Sequence, residues 1–592
     1  MEKQDKLIAR LFKDTLIIFL LSMFVSTIGY VIDGIITGSF LGTEAIAAFG
    51  LTMPYQRFVT IFPAVIVLGM QVLCSKALGR GDLREANEIF SLAMVAALSI
   101  AILLTGGTLL FPEQIADVLD AKESLGAIRG LTIDFMQAYA FGLPAMASVV
   151  LLPIMQLDND RRRTVVSAAT LAICDIVGDL LNVLVLDGGL WGMGIATAIS
   201  HWIAFGVLLL HFLKPDSSFK FLPKAVSLRH FRQMILIGLP VILGRGTAVL
   251  RIAFFTRMSV ALAGGVGVAA YAVLENFSGL LEIIPKALGS STQMIGGILI
   301  GEQDRNSILR LMKLALKSSL IISLIMTAGV FLGAPLIANL YTQDIDATTY
   351  QTTLEGLQLA IAFLPLCTVG IIFQYYYQAC GRFRLVSSLT IAGNVGFIVP
   401  IALLLTAHLG LDGLWLAFPL SYAAFLLTIF IITCRHCGRI TFRLEDYLLL
   451  PEDFDVANDK QLNITVTSKA EVLGLSERTQ SFCEASGVDS RRSMFAGICI
   501  EEIAGNIVDY GFDDGKNHFV DVRIIIKGEQ VIIRMRDDCR TFDPKKWAEI
   551  NNPEDPAAHI GIRLVKSIST EFDYVNVLKL NNLIIKIKKG SD

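Results

Sequence analysis

From Thr15 to Cys434 apolar residues fill runs of about 20 positions, long enough to cross a bilayer as helices. The runs begin near Thr15, Ala45, Ile89, Ala127, Thr164, Gly192, Phe231, Val266, Leu311, Gln351, Val386 and Gly413, so the pattern predicts twelve spans. Beyond Pro451 the runs shorten and polar residues interleave. There the pattern predicts a strand over 462–466, helices over 476–485 and 491–510, paired strands over 520–526 and 530–536, a short helix and two further strands. The expected fold class is an all-α polytopic membrane part followed by a two-layer α/β domain.

The membrane part repeats itself at an offset near 222 residues. Leu78-Gly79-Arg80-Gly81-Asp82 returns as Ile300-Gly301-Glu302-Gln303-Asp304, and Gly42, Ala47, Ala48 and Gln71 return as Gly264, Ala269, Ala270 and Gln293. At offset 221, Leu143-Pro144 returns as Leu364-Pro365, and Gly192, Ala196 and Ser200 as Gly413, Ala417 and Ser421. The chain therefore divides into six-helix bundles over 1–222 and 223–445, a linker over 446–460 and the α/β domain over 461–592. A parallel repeat of six spans points to a substrate cavity opened alternately to each side as the halves rock.

Hydrophobic residues make up 54% of the chain, far above a soluble protein's share, and place it in the lipid bilayer. The net charge of −3, with no broad basic stripe, excludes a nucleic-acid binder. Lys and Arg gather at the N-terminus (Lys3, Lys6, Arg10, Lys13) and in alternate loops: Lys76, Arg80 and Arg84; Arg161 to Arg163; Lys214, Lys220, Lys224 and Arg229; Arg305 and Arg310; Arg382 and Arg384. The intervening loops hold almost none, Lys122 and Arg129 excepted, so both termini are expected in the cytoplasm of a cell-membrane protein. The first apolar run is too long for a cleaved signal peptide. Nine scattered cysteines make no disulfide framework, and the lone Cys434-x-x-Cys437 around His436 reads as a membrane-end sequence.

Within the first run the only charge is Asp33. An acidic residue at the centre of a span costs roughly 2.5–3.5 kcal/mol, so such groups usually serve an ion or substrate pathway. At ~1.5 Å per residue, Asp33 lies roughly 27 Å along its span from the basic end, and Asp175 and Asp179 roughly 18 and 24 Å beyond Arg163. Thr197 lies about 8 Å below the far end of the sixth span. Asp175 and Asp179 share one helix face, so three carboxylates and a hydroxyl can converge on Na⁺, protons or an organic cation. Arg57 is a candidate partner for one of them. In the second half, Arg245 and Arg251 can meet Glu275 and Glu282, which reads as a neutralised structural network.

Asp33 opens the stretch DGIITGSFLGTEAIAAFGL, followed by SKALGRGDLREAN at 75–87 and GMGIATAIS at 192–200. At these residues the chain resembles the multidrug and toxic-compound extrusion (MATE) family over roughly 16–434. The resemblance implies a V-shaped twelve-helix antiporter driven by H⁺ or Na⁺, with Asp33 as cation site and Asp179 and Thr197 in the same bundle. Asp175 stands where the family often has Asn, and Asp158-Asn159-Asp160 replaces a glycine turn retained as Gly381. Protonating Asp33 removes a buried charge, after which the helix bearing Gly29, Gly34 and Gly38 can repack and expel a cationic substrate.

In the tail, Glu502 and Asn506 lie one turn apart on a helix, a carboxylate and an amide suited to Mg²⁺ or its waters. Asp537-Asp538-Cys539-Arg540-Thr541-Phe542-Asp543-Pro544 follows at a strand end, and His559-Ile560-Gly561 opens a helix. The trio resembles the histidine-kinase-like ATPase fold, most closely the anti-sigma-factor serine/threonine kinases, over roughly 463–588. Carried over, Asn506 would hold Mg²⁺, Glu502 would act as base, Asp537 would read the adenine amino group of ATP, and Gly561 would lie under the phosphates. Cys539 and His559 stand where that family has glycines. With no phosphorylatable His ahead of the tail and no GxxxxGK[ST], neither a sensor histidine kinase nor a P-loop pump is expected.

The reading is a cation-coupled exporter of organic cations or drugs, regulated by its ATP-binding tail. Two alternatives stand beside it. One is a membrane-anchored signalling protein whose tail phosphorylates or binds an anti-sigma-antagonist-like partner; the other is a lipid-precursor flippase.

Overall fold

The computed structural model describes residues 3–119, 121, 126–214, 217–342, 347–513, 518–545 and 560–587. Among them, eight helices are long and apolar enough to cross a membrane, ten when each bent pair counts as one span. The twelve runs map onto fewer helices because neighbouring spans join with almost no polar loop. Ile32–Gly79 continues for 48 residues and Leu228–Gly301 for 74, each more than one crossing long. The longer stretch breaks at Ala263 and Gly264, whose backbone angles (φ −143°, ψ 16° and φ 58°, ψ −138°) leave the helix.

The internal repeat reappears in the backbone. Left-handed residues fall in pairs at the repeat offset: Gly42 with Gly264, Gly81 with Gln303, Asn159 with Gly381, and Gly189 with Gly410. The bent spans pair too. Ala127–Ala140 meets Leu143–Leu157 at 52°, and Ala347–Ala360 meets Phe363–Ala379 at 44°. Pro144 and Pro365 sit just inside the second segment of each, where a missing N–H costs least.

The halves touch along Ile61–Gly79 and its repeat counterpart Ile283–Gly301. A Cβ on Gly79 would come within 2.0 Å of the Ile298 carbonyl oxygen, and one on Gly301 within 2.2 Å of the Lys76 carbonyl oxygen. Residues 79 and 301, like 76 and 298, are 222 apart, so the seam is closed by a symmetric glycine contact.

The tail is a five-stranded antiparallel sheet in the order β1-β2-β3-β5-β4. Its strands are β1 (Gln461–Val466), β2 (Val520–Lys527), β3 (Gln530–Asp537), β4 (Glu571–Val577) and β5 (Leu580–Ile587). Helices Leu475–Ala485, Ser490–Gly511 and Ile560–Ile568 supply the second layer, and Val466, Ile500, Ala504, Val522, Ile533, Val565 and Ile585 lie in the core between.

The sheet's other face lies on the membrane part. Arg536 donates to Glu302 at 3.0 Å, Asp304 at 3.1 Å and Asp521 at 2.7 Å, and Arg534 to the Glu302 carbonyl at 3.0 Å. These groups are almost wholly buried, which charges tolerate only when paired. Burial raises Asp304, but Arg523 and Arg536 beside it outweigh this and hold its carboxyl down at about 2. Across the seam, Arg161 donates to the Leu578 carbonyl at 2.9 Å, Asn159 bonds Asn576, and Ile584 packs over Gly81. The N-terminal helix joins at the same end through Arg10 and Asp538, 2.6 Å apart.

Candidate functional site

Helix Arg161–Leu181 packs between Lys3–Ile36 and Gly189–Leu209 and carries Asp175 and Asp179 inward. Its close approach to the sixth span is set at Gly178, where a Cβ would lie 2.9 Å from that of Ala196. Asp179 is fully buried and Asp175 is 7% exposed. The charge of Asp175 acts on Asp33, and both act on Asp179, so the three carboxylates occupy one chamber. Thr197 faces Asp175 from the sixth span, and Ser200 reaches Asp175 Oδ1 at 3.5 Å.

Both Asp179 oxygens and Asp33 Oδ1 are buried without a hydrogen-bond partner among the described residues. Unsatisfied buried oxygens cost about 1–3 kcal/mol each, which marks this cluster as the candidate binding site. Around Gly29 and Gly34, beside Asp33, a Cβ would meet nothing described within 4 Å. These glycines therefore mark open space rather than close backbone contact; only Gly38 is tight, against Ile46. Ser200 lines the site as well, and beside it His201 Nδ1 donates to the Thr197 carbonyl at 2.8 Å. Sequence reasoning left both out, although each follows Thr197 within a turn or so and both were visible as polar residues in an apolar run.

Arg57 does not join the cluster. It is exposed, and among the described residues no ion pair links it to a carboxylate; its carbonyl instead accepts from Arg245 at 3.0 Å. In the second half Arg251 pairs with Glu275 at 3.0 Å and Lys286 with Glu282 at 2.7 Å. Those acids are neutralised by bases, while among the described residues no base pairs with Asp33, Asp175 or Asp179. Arg245 meets neither glutamate, since its guanidinium is engaged by Arg57 and Thr60.

A cavity of about 260 Å³ opens in the tail, walled by Asn506, Tyr510, Asp537, Phe542, Ile562 and Asn581 among others. That is near the lower end of small-molecule pockets, about 300–1,000 Å³. Asp537, 4% exposed, accepts on Oδ1 from Asn581 at 2.6 Å and from the Cys539 N–H at 3.1 Å, and the Cys539 thiol is a further donor to this carboxylate. Burial pushes its carboxyl up to about 6, against those donors. Cys539 also lines the cavity, its sulfur 2.7 Å from where a Cβ on Gly511 would be. Glu502 lies against Gly561, where a Cβ would come within 1.8 Å of its Oε2, and is not part of the cavity wall. His559 lies outside the described residues.

Duplicated helical halves around a buried acid cluster define a polytopic membrane protein of transporter architecture. The MatE family model matches residues 19–181 and 240–404, more than half of the chain and one block in each half, and the chain belongs to that family. The match stops short of the tail. Multidrug export protein MepA of Staphylococcus haemolyticus is 22% identical over 434 residues, 71% of this chain and 93% of its own length. Multidrug resistance protein NorM of Photobacterium profundum is 27% identical over 303 residues, 48% of this chain and 60% of its own length. A crystal structure of MATE in complex with MaL6 shares the fold at TM-score 0.66 and 20% identity, over 72% of this chain and 97% of that one.

Proposed function

We propose that the chain is a cation-coupled antiporter that exports organic cations or drugs, with H⁺ or Na⁺ as the coupling ion. It crosses the cell membrane twelve times with its basic end, termini and tail in the cytoplasm, as the distribution of Lys and Arg favours. The observation that carries this reading is the set of buried, unpartnered oxygens on Asp33 and Asp179 beside Asp175. Such a cluster cannot keep all its negative charge in a low-dielectric chamber without a cation. A proton or Na⁺ and a cationic substrate then compete for the same carboxylates, and an exchange follows if each favours a different open side. The names of the relatives, multidrug export and resistance proteins, agree with this substrate class.

We further propose that the tail cavity takes an adenine nucleotide with Mg²⁺ and regulates the transporter. Asp537 offers a carboxylate for which an exocyclic amine can compete, Tyr510, Phe542 and Ile562 offer apolar faces to a base, and Asn506 would hold the metal. Bound nucleotide would supply a polyphosphate and its metal at that wall. The kinase reading is weaker, because Glu502 is packed on Gly561 away from the cavity wall.

The test is efflux of a fluorescent organic cation from proteoliposomes under an imposed pH or Na⁺ gradient, with and without ATP on the tail side. Asp33→Asn is expected to lower gradient-driven flux at least about tenfold. Flux unchanged in that variant would overturn the proposal.

A further inference from the structure

The tail sheet covers the seam between the two halves. Its β4–β5 side holds the first half: Asn576 and Leu578 engage Asn159 and Arg161, and Ile584 covers Gly81. Its β2–β3 side holds the second: Arg523 donates to the Gln303 carbonyl at 3.3 Å, Lys527 to the Gln303 side chain at 3.1 Å, and Arg534 and Arg536 to Glu302. Asn582 of β5 reaches Glu302 as well, at 2.8 Å. The gripped turns at Gly81 and Gln303 are repeat counterparts, and each follows directly on the glycine, Gly79 or Gly301, at which the halves meet. Any rocking that parts the halves at this end must pull the sheet from one of them. The contact joins an apolar patch of Val575, Val577 and Leu578 to a set of charges and amides, and water can serve the latter once the sheet lifts. Nε of Arg523 and of Arg534 and Oδ1 of Asn582 find no hydrogen-bond partner in the docked arrangement among the described residues.

The cavity is wired to this contact. Asn159 donates to the side-chain oxygen of Asn576; Asn576 donates to that of Asn581 at 2.5 Å; and Asn581 donates to Asp537 Oδ1 at 2.6 Å. Three amides, aligned donor to acceptor, thus run from a membrane-domain turn to the carboxylate of the cavity. They also account for an oddity of the sequence. Asn159 is left-handed at φ 63°, where its counterpart is Gly381 at φ 79°. Glycine meets that backbone demand at no cost, and asparagine is among the few other residues that adopt it readily. The turn in the first half has the one alternative that adds an amide to meet the tail.

We propose that the tail sheet is a clamp across the basic ends of the two halves, and that a nucleotide in the cavity works it by competing at Asp537 and resetting Asn581, Asn576 and Asn159. This rests on the reading of the cavity as a nucleotide site. Docked, the clamp keeps the exporter closed at the basic end; a ligand that draws Asp537 away from Asn581 loosens the grip on Asn159 and lets that end open.

Two variants of the full chain in proteoliposomes test it. A Cβ on Gly81 would lie 3.8 Å from that of Asp573, within disulfide reach, so Gly81→Cys with Asp573→Cys can tie the sheet to the first half. Oxidation is expected to stop loading of a fluorescent organic cation from the basic end, and reductant to restore it; equal rates in both states would overturn the clamp. The second variant is Asn159→Gly, the residue of the paired turn. Wild type is expected to change its transport rate about five- to tenfold with Mg-ATP on the tail side. In Asn159→Gly that response should vanish while binding of a fluorescent ATP analogue stays within about twofold of wild type. A full response in Asn159→Gly would overturn the relay. If wild type binds no analogue, the nucleotide reading fails and the relay with it, while the cross-link result still decides the clamp.

Discussion

Asp537 shows how one residue's surroundings set the conditions of binding. Its carboxyl is raised to about 6, first by burial, so the stability it gives the fold is full below the ordinary carboxylate value of about 4 and is lost as pH rises through about 6. A ligand that donates an N–H to this carboxylate stabilises the ionised form and recovers that loss. Adenine-nucleotide affinity is therefore expected to rise about fivefold between roughly pH 5 and 7.5, the margin of a charge-assisted over a neutral hydrogen bond. Fluorescence titration across that range checks this, and Asp537→Asn should flatten the profile. A flat profile in wild type would contradict the role given to this side chain. The membrane acids were legible as single residues because a charge within an apolar run stands out: Asp33, Asp175 and Asp179 needed only helix geometry to be grouped. Arg57 was misread for the opposite reason, since depth along a helix does not say which way a side chain turns.

At the level of elements, β3 turns its two faces to two different surroundings. Asp537 closes its end on the cavity side, while Arg534 and Arg536 point to the membrane part. Removing one partner from a buried ion-pair network costs about 3–5 kcal/mol, so Arg536→Met is expected to undock the sheet while leaving the tail folded. Hydrogen exchange in the turn Glu302–Ser307 reports this directly: protection should fall there and persist in β2 and β3. Unchanged protection at the turn would mean that the charges only decorate a contact held by other forces. The strands themselves were readable from alternation, their ends within a few residues. The docking was not. Arg523, Arg534 and Arg536 alternate with apolar residues as a solvated face would, and the membrane-part acids they meet, Glu302 and Asp304, lie more than 200 residues away in sequence. The sequence separates runs near Gly42 and Gly264 that the structure carries as continuous helical stretches, because the turns there link helices without a polar loop.

Across the whole molecule, a duplicated helical body holds an unneutralised acid cluster in one half, a neutralised network in the other, and a sheet bolted across the end where they meet. In the proposed exchange, ion binding belongs to the first half and the second is the frame it moves against. The central claim is that small cation and substrate compete for the oxygens of Asp33, Asp175 and Asp179. Equilibrium binding of an organic cation to the purified full-length protein, repeated over a range of pH and Na⁺ concentration, tests it most directly. The account predicts that affinity in wild type falls as one of these ions rises, and that Asp179→Asn together with Asp33→Asn abolishes this dependence. Affinity indifferent to both ions in wild type, or a dependence that survives in the double variant, would contradict it.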